Sequence, residues 1–401
     1  MQLKKVLLLG GAYSQVPSVK KAKELGYYVI TCDYCPDNPG HKYADEYYNV
    51  STTDKEAVLE LAKKLEVDGV VCYASDPSAT TAAYVSEKLG FPTSPYESVE
   101  ILSNKDKYRK FLEENHFNVP RSRGYSDIEE AKKEISEFNF PIMVKPVDSS
   151  GSKGVSKIDS SEDLEVAVEN ALSYSRCKRF ILEEYVEKCG YQGAGDGFVV
   201  DGKLVFRCFC NEHFEATGIN PYVPIGTSCP CAMPDDILDK IHAETQRMID
   251  LLHLKSAALN FDIRLDSKGD IYIMELGHRN GGNMIPQIME LATGVDTVAY
   301  TIKAAMGEDL SDLTMVKPEG FYSSYVIHSP VAGILKEVQM DEEFKKNNLL
   351  GIDLFYKPGD EVPAFVGSNG TIGLLVLKYS SKEEMFDKMG RMTDFVKVVL
   401  E

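Results

Sequence analysis

The sequence predicts an α/β protein built from several units, and three observations carry that prediction. Its first hundred residues alternate strand and helix patterns, as a parallel sheet with helices on both faces does. At 401 residues the chain is too long for one ordinary core. Further along, two short strands between Leu259 and Gly277 carry one acid each and run into a glycine-rich turn.

In the first unit, Lys5–Leu9 reads as a strand, Gly10–Gln15 as a loop, Val16–Leu25 as an amphipathic helix and Tyr27–Asp33 as a second strand. Val67–Tyr73 and Ala79–Leu89 repeat the pattern, and the turn Gly90-Phe91-Pro92-Thr93 closes it. An acid (Asp33) after a glycine loop suits dinucleotide binding. The loop, however, lacks the G-x-G-x-x-G spacing that close pyrophosphate approach requires, so a substrate or structural role is expected instead. The apolar start mimics a signal peptide but is very short and flows straight into a strand–loop–helix pattern, so it is read as folded structure.

Composition narrows the function classes. Sixty-two acids against 44 bases give a net charge of −18, which argues against a general nucleic-acid binder but leaves room for a local basic pocket. No apolar run approaches the roughly 20 residues that span a bilayer. The nine cysteines are an odd number and no export signal accompanies them, so reduced thiols and a cytoplasmic location are expected. The pairs Cys32/Cys35, Cys208/Cys210 and Cys229/Cys231 lack a His-rich partner segment and are read as small buried hydrophobes rather than zinc ligands.

In the middle of the chain, Ser103–Phe117 reads as a charged helix that Val119-Pro120 ends, and Phe140–Pro146 as a strand bearing Lys145. The loop Asp148–Gly154 follows. Its serines and glycines leave backbone N–H groups free to meet phosphate oxygens, and Lys145 and Lys153 add positive charge. It is not a P-loop, since G-x-x-x-x-G-K-[ST] is absent. Glu162–Ser173 is a helix, Phe180–Val186 a strand, Phe198–Asn211 a hairpin turning at Asp201-Gly202, and Pro234–Leu252 a long helix.

Then comes the hairpin of the two acids. Asp262 and Glu275 lie 13 positions apart, where an antiparallel pair joined through Asp266–Asp270 brings them together. Two carboxylates beside Arg279 suit a Mg²⁺–phosphate site, because Mg²⁺ takes one or two carboxylates plus substrate phosphates. The plainer alternative is a solvated surface hairpin. After Gly320 the pattern changes to strands with glycine turns, and a final helix is expected over roughly Ser381–Leu400.

Taken in order, these are a helix-borne lysine, a strand lysine, a Ser/Gly flap, a strand ending Glu-Glu-Tyr-Val, and an acid–acid hairpin with a following arginine. The order resembles the ATP-grasp superfamily over about residues 1–310. The segment Gly370–Val376 with its closing helix is similar to the tail domain of L-amino-acid ligases and related carboxylate–amine ligases. The resemblance implies an α+β ATP-grasp architecture. Residues 1–103 would form an N-terminal Rossmann-like domain, 104–186 the lid and 187–312 the catalytic subdomain of ATP-grasp, and 313–401 a small strand-rich C-terminal domain.

It also implies roles for residues. Lys107, with Lys105 its near competitor, and Lys145 would bind nucleotide phosphates. Ser149, Ser150, Gly151, Ser152 and Gly154 would form the flap. Glu183, Glu184 and Val186 would take adenine, largely through backbone atoms, Asp262 and Glu275 would take the metal, and Arg279 with His278 the reacting oxyanion. Two positions depart from the family. Gln192, after the insertion Glu187–Tyr191, stands where a ribose-binding glutamate is usual. Gly277 stands where an asparagine is often the third metal ligand, leaving Asn280, Asn283 or water to complete the shell.

The implied function is an ATP-dependent carboxylate–amine ligase using ATP and Mg²⁺ or Mn²⁺. Its substrates would be a small-molecule carboxylate and an amine, with neither nucleic acid nor membrane as partner, and the protein would be a homodimer. The alternatives are a carboxyphosphate-forming enzyme of purine or carbamoyl-phosphate type, and a nucleotide-binding protein with degenerate chemistry. Arg207, Asn211, Glu212, His213 and the loop Asn220–Pro224 either shape an acceptor pocket or simply connect elements.

Overall fold

A computed structural model describes residues 3–215 and 218–401. Strands β1 (Lys5–Leu9), β2 (Tyr28–Cys32), β3 (Glu46–Tyr48) and β4 (Gly69–Cys72) form a parallel sheet in the order β3-β2-β1-β4. The largely apolar sequences of β1, β2 and β4 follow from burial on both faces, whereas β3 at the edge is half-buried. Leu7, Leu9 and Ile30 pack on helices Lys55–Leu65 and Asp76–Leu89. Val6, Leu8 and Val29 pack on helix Val16–Glu24 and on Val298 and Ile302 of helix Thr297–Ala305. A helix nearly 300 residues along the chain therefore completes the core of the N-terminal unit.

The next unit is a four-stranded antiparallel sheet of β5 (Ser122–Tyr125), β6 (Ile142–Pro146), β7 (Ser156–Ile158) and β8 (Phe180–Glu184), ordered β5-β8-β6-β7. Ala131 of helix Ile128–Glu134 and Leu164, Val168 and Ala171 of helix Leu164–Tyr174 back it. The remaining strands are β9 (Gln192–Val200), β10 (Lys203–Phe214), β11 (Pro224–Cys229), β12 (Ala257–Leu265), β13 (Ile271–Gly277) and β14 (Phe321–Ile327). They are followed by β15 (Gly333–Met340), β16 (Leu349–Leu354), β17 (Glu361–Val362), β18 (Gly373–Tyr379) and β19 (Val396–Leu400). Eight of them make one sheet, β13-β12-β9-β10-β11-β14-β18-β16, which runs across the boundary expected at residue 312. The other three form the small sheet β17-β15-β19.

Two elements differ from the sequence reading. The final helix covers only Lys382–Met389, with a short turn at Met392–Phe395, and Val396–Leu400 is a strand paired with β15. The β-branched residues Val396, Val398 and Val399 suit the pleated surface better than a helix, and Gly390 interrupts the helical run. Strand β9 begins at Gln192 rather than Phe198. Gly193, Gly195 and Gly197 hide its pattern, yet the backbone approach needs them: a Cβ on Gly195 (φ +119°) would lie 2.2 Å from the Cys208 carbonyl oxygen.

Candidate active site

A cavity of about 490 Å³ opens where all these units meet. Its floor is the hairpin β12–β13. Asp262 and Glu275 are direct cross-strand partners, with a bulge immediately after Asp262. The Asp262 Oδ1 atom is buried and has no hydrogen-bond partner. Burial, with the Glu275 charge opposite it, pushes this carboxyl up to about 6 against the pull of Arg264. A buried carboxylate oxygen without a donor, facing a second carboxylate, is the environment that a hard cation relieves. The donor set therefore fits Mg²⁺ or Mn²⁺.

Cations surround this floor. Lys105 Nζ lies 3.5 Å from Glu275 Oε1 and donates to the Ser149 carbonyl at 3.0 Å. Lys145 Nζ is 2.5 Å from Glu183 Oε1, and Arg109 Nε donates to Glu183 Oε2 at 2.6 Å. Burial alone would raise the Glu183 carboxyl, but Arg109 and Lys145 bring it down to about 2. Both oxygens of Glu183 are thus spent on holding Lys145 and Arg109. From above, Ser149 to Lys153 line the cavity. Gly151 (φ +66°) and Ser152 (φ +56°) are both left-handed, which turns the loop back over the floor. Ser152 Oγ donates to the Tyr222 carbonyl at 2.7 Å, and Asn220 Nδ2 bridges the carbonyls of Ser152 and Val366 at 3.2 and 2.9 Å. The flap is closed and tied to the C-terminal segment.

Arg279 lines the cavity in a bidentate pair with Asp76, at 2.7 and 2.8 Å, and donates to Asn260 Oδ1 at 2.7 Å. Fully buried Asp196 anchors the following turn by accepting from Gly281 N and from Asn260 Nδ2, all at 2.9 Å. Any Cβ on Gly281 would sit under 3.0 Å from Asn260 and Asp196. Neither Asp76 nor Asp196 stood out in the sequence, because their partners lie far away along the chain.

Residues 112–291 match the family model described as D-ala D-ala ligase C-terminus. The carbamoyl phosphate synthase large chain of Pseudothermotoga lettingae is 26% identical over 308 residues, covering 76% of this chain and 27% of that protein. That of Thermoanaerobacter pseudethanolicus is 25% identical over 358 residues, 86% of this chain and 32% of that one. The chain thus spans about a third or less of the curated relatives it matches. Among solved structures, the L-amino acid ligase from Bacillus licheniformis superposes with a TM-score of 0.82 at 19% identity, over 100% of both chains. Phosphoribosylglycinamide synthetase from Anaerococcus prevotii gives 0.76 at 24% identity, over 99% of this chain and 100% of that one. The chain has the ATP-grasp fold.

Within this ATP-grasp frame the structure brings together Lys145, Ser149, Ser150, Gly151, Ser152, Gln192, Asp262, Glu275 and Arg279 around one cavity. It does not bring Lys107 there: its ammonium pairs with Glu100 at 2.8 Å, and Lys105 takes the place. Residues two apart on a helix face different sides, so only one of the two lysines can point inward. Glu184 turns away to the backbone N and Nδ2 of Asn139, at 2.8 and 3.0 Å. The Val186 carbonyl accepts from Arg264 Nη1 at 3.0 Å, and Gly154 packs on Tyr174 outside the cavity lining. His278 faces a separate small cavity behind the sheet, 2.8 Å from Ser94 Oγ, where burial pushes it down to about 4.

The two departures find physical explanations. Gln192 is the cross-strand partner of Glu212 and donates to Glu212 Oε2 at 2.6 Å; both line the cavity. An acid is thus present at this wall, on the neighbouring strand, and burial raises its carboxyl to about 8. A Cβ on Gly277 would lie 3.1 Å from Asp76 Oδ1 and 3.2 Å from Arg279 Nε, so a side chain there would crowd the ion pair. Asn283 lines the cavity, whereas Asn280 is fully buried and takes the Thr301 hydroxyl. The N-terminal loop contributes Ala12, Tyr13 and Ser14, and Tyr13 stacks on Phe355 with ring centroids 3.9 Å apart.

Proposed function

We propose that this chain is an ATP-dependent carboxylate–amine ligase, which activates a carboxylate as an acyl-phosphate, joins it to an amine, and releases ADP and phosphate. One observation carries the reading: Asp262, with its partnerless oxygen, opposite Glu275 beneath a closed Ser/Gly flap and between Lys105 and Lys145. Asp262 and Glu275 would hold Mg²⁺ or Mn²⁺, which when bound neutralises charge developing on the transferred phosphoryl group. Lys105, Lys145 and the flap N–H groups hold phosphate oxygens. The closed flap keeps water from the activated carboxylate. Arg279, its guanidinium plane fixed by Asp76, is preoriented toward the reacting oxyanion. His278 has no part in this reading, because it faces the other cavity.

The walls bear on the substrate. Val223, Ile285, Phe355, Phe365 and Leu374 give the cavity an apolar wall. Among the described residues lining the cavity, Lys105, Lys145, Arg264 and Arg279 each already have an acid, amide or carbonyl partner, and Lys153 belongs to the flap. The apolar wall supports an apolar acid or amine over a phosphorylated ribose. Measuring phosphate release over a panel of acid–amine pairs tests the proposal, with release expected only when both are present. Bicarbonate-dependent ATP hydrolysis without an acid would instead support the carboxyphosphate-forming alternative. A cytoplasmic homodimer completes the proposal; light scattering at the mass of one chain would remove the dimer.

A further inference from the structure

The face of β10 that meets the cavity at Glu212 continues inward as a row of thiols. Cys208, Cys210 and Cys229 are all buried, their ligand atoms lie within 4.8 Å of one another, and the Cys208 and Cys229 sulfurs are 3.4 Å apart. Sulfurs that share one pyramidal centre at roughly 2.3 Å each lie about 3.4 Å apart, the separation that Cys208 and Cys229 already have. Only Cys210 has to draw in to close on the same atom, from within 4.8 Å of the other two. Its surroundings are apolar: Phe198, Phe206, Ala258 and Ile288 belong to the same core cluster. The cross-strand partner of Cys208 is Asp196, an acid.

Charge decides which atom suits this site. A divalent zinc ion on three thiolates would bury a net negative charge beside Asp196, with no cation in the cluster to balance it. Structural zinc sites are also almost always four-coordinate, and the convergent group among the described residues has three members. A trivalent centre avoids both difficulties, since three thiolates neutralise it and complete its pyramid.

We propose that Cys208, Cys210 and Cys229 form a three-thiol site for an uncharged trivalent metalloid of the arsenite class. In the binding step three As–O bonds of As(OH)₃ break and three As–S bonds form. Each thiol proton leaves with a hydroxyl as water, and no electrons are transferred. Reagent and product are both neutral, so neither requires an ion to be desolvated. Entry is from the large cavity, whose wall includes Ala194, the cross-strand partner of Cys210, and Thr227, two residues before Cys229.

The test incubates the full chain with sodium arsenite in a non-thiol reductant, removes free reagent, and reads bound arsenic by intact-protein mass spectrometry. One arsenic per chain is expected, unchanged in Cys177→Ala and lost in Cys210→Ala. Should Cys210→Ala misfold, the wild type still decides. Alkylation in denaturant followed by peptide mapping should then find Cys208, Cys210 and Cys229 protected together. Protection of other cysteines, or of fewer than these three, overturns the proposal. So does one zinc ion per chain that blocks arsenite uptake.

Discussion

Burial, with another carboxylate across the hairpin and one oxygen left without a donor, raises the Asp262 carboxyl from the ordinary 3.8 to about 6. A carboxyl whose pKa is raised on folding contributes stability that is complete below its unfolded value and lost as pH rises through the folded one. The metal-free protein should therefore lose stability between pH 4 and 6 on account of this group. Asp262→Asn should raise metal-free stability at pH 7 by about 3 kcal/mol, roughly two pKa units at 1.36 kcal/mol each. The same variant should abolish the thermal shift that Mg-ATP gives the wild type. Urea unfolding and thermal melts check both halves, and a destabilised Asp262→Asn would contradict the charge argument. Asp76 behaves oppositely. Removing it leaves Arg279 buried without its bidentate partner, so Asp76→Ala should cost about 3–5 kcal/mol in urea unfolding. Unchanged stability would show that the pair contributes nothing.

At the scale of elements, legibility followed how local the determining interaction is. β1 and the hairpin of Asp262 and Glu275 could be read because their patterns are continuous and their turns short. β9 could not, since its glycines answer to the backbone of β10 rather than to any local preference. Gly195→Ala should accordingly prevent soluble expression or cost well over 2 kcal/mol, its φ and the Cys208 carbonyl both opposing a side chain. A tolerated alanine would mean that the two strands can separate there. The last segment was misread because Lys382–Met389 begins a helix that Gly390 and the valines do not continue. Lys105 and Lys107 differ only in which face of one helix they occupy, and that depends on the helix start at Lys105, beyond the resolution of a pattern.

The whole molecule assembles one cavity from every unit: Asp76 and Tyr13 from the N-terminal unit, the flap from the lid, the floor from β12–β13, and Phe355 and Ser368 from the C-terminal segment. Removing residues after 312 would strip β14, β16 and β18 from the large sheet and expose β11, so that truncation should be insoluble. A soluble, ATP-binding truncation would refute the view of a single continuous sheet. The flap's ties to Tyr222 and, through Asn220, to Val366 make closure a joint act of lid and C-terminal segment. Which carboxylate and amine enter lay outside the sequence, because the apolar wall gathers side chains from Val223 to Leu374 that only the fold brings together. The most direct test of the whole account is ADP release by wild type and Glu275→Gln over a panel of acids and amines with Mg²⁺. The account predicts release that depends on an acid and falls by at least about 100-fold in the variant. Full turnover in Glu275→Gln, or ATP binding with no ADP formed by the wild type on any pair, would contradict it.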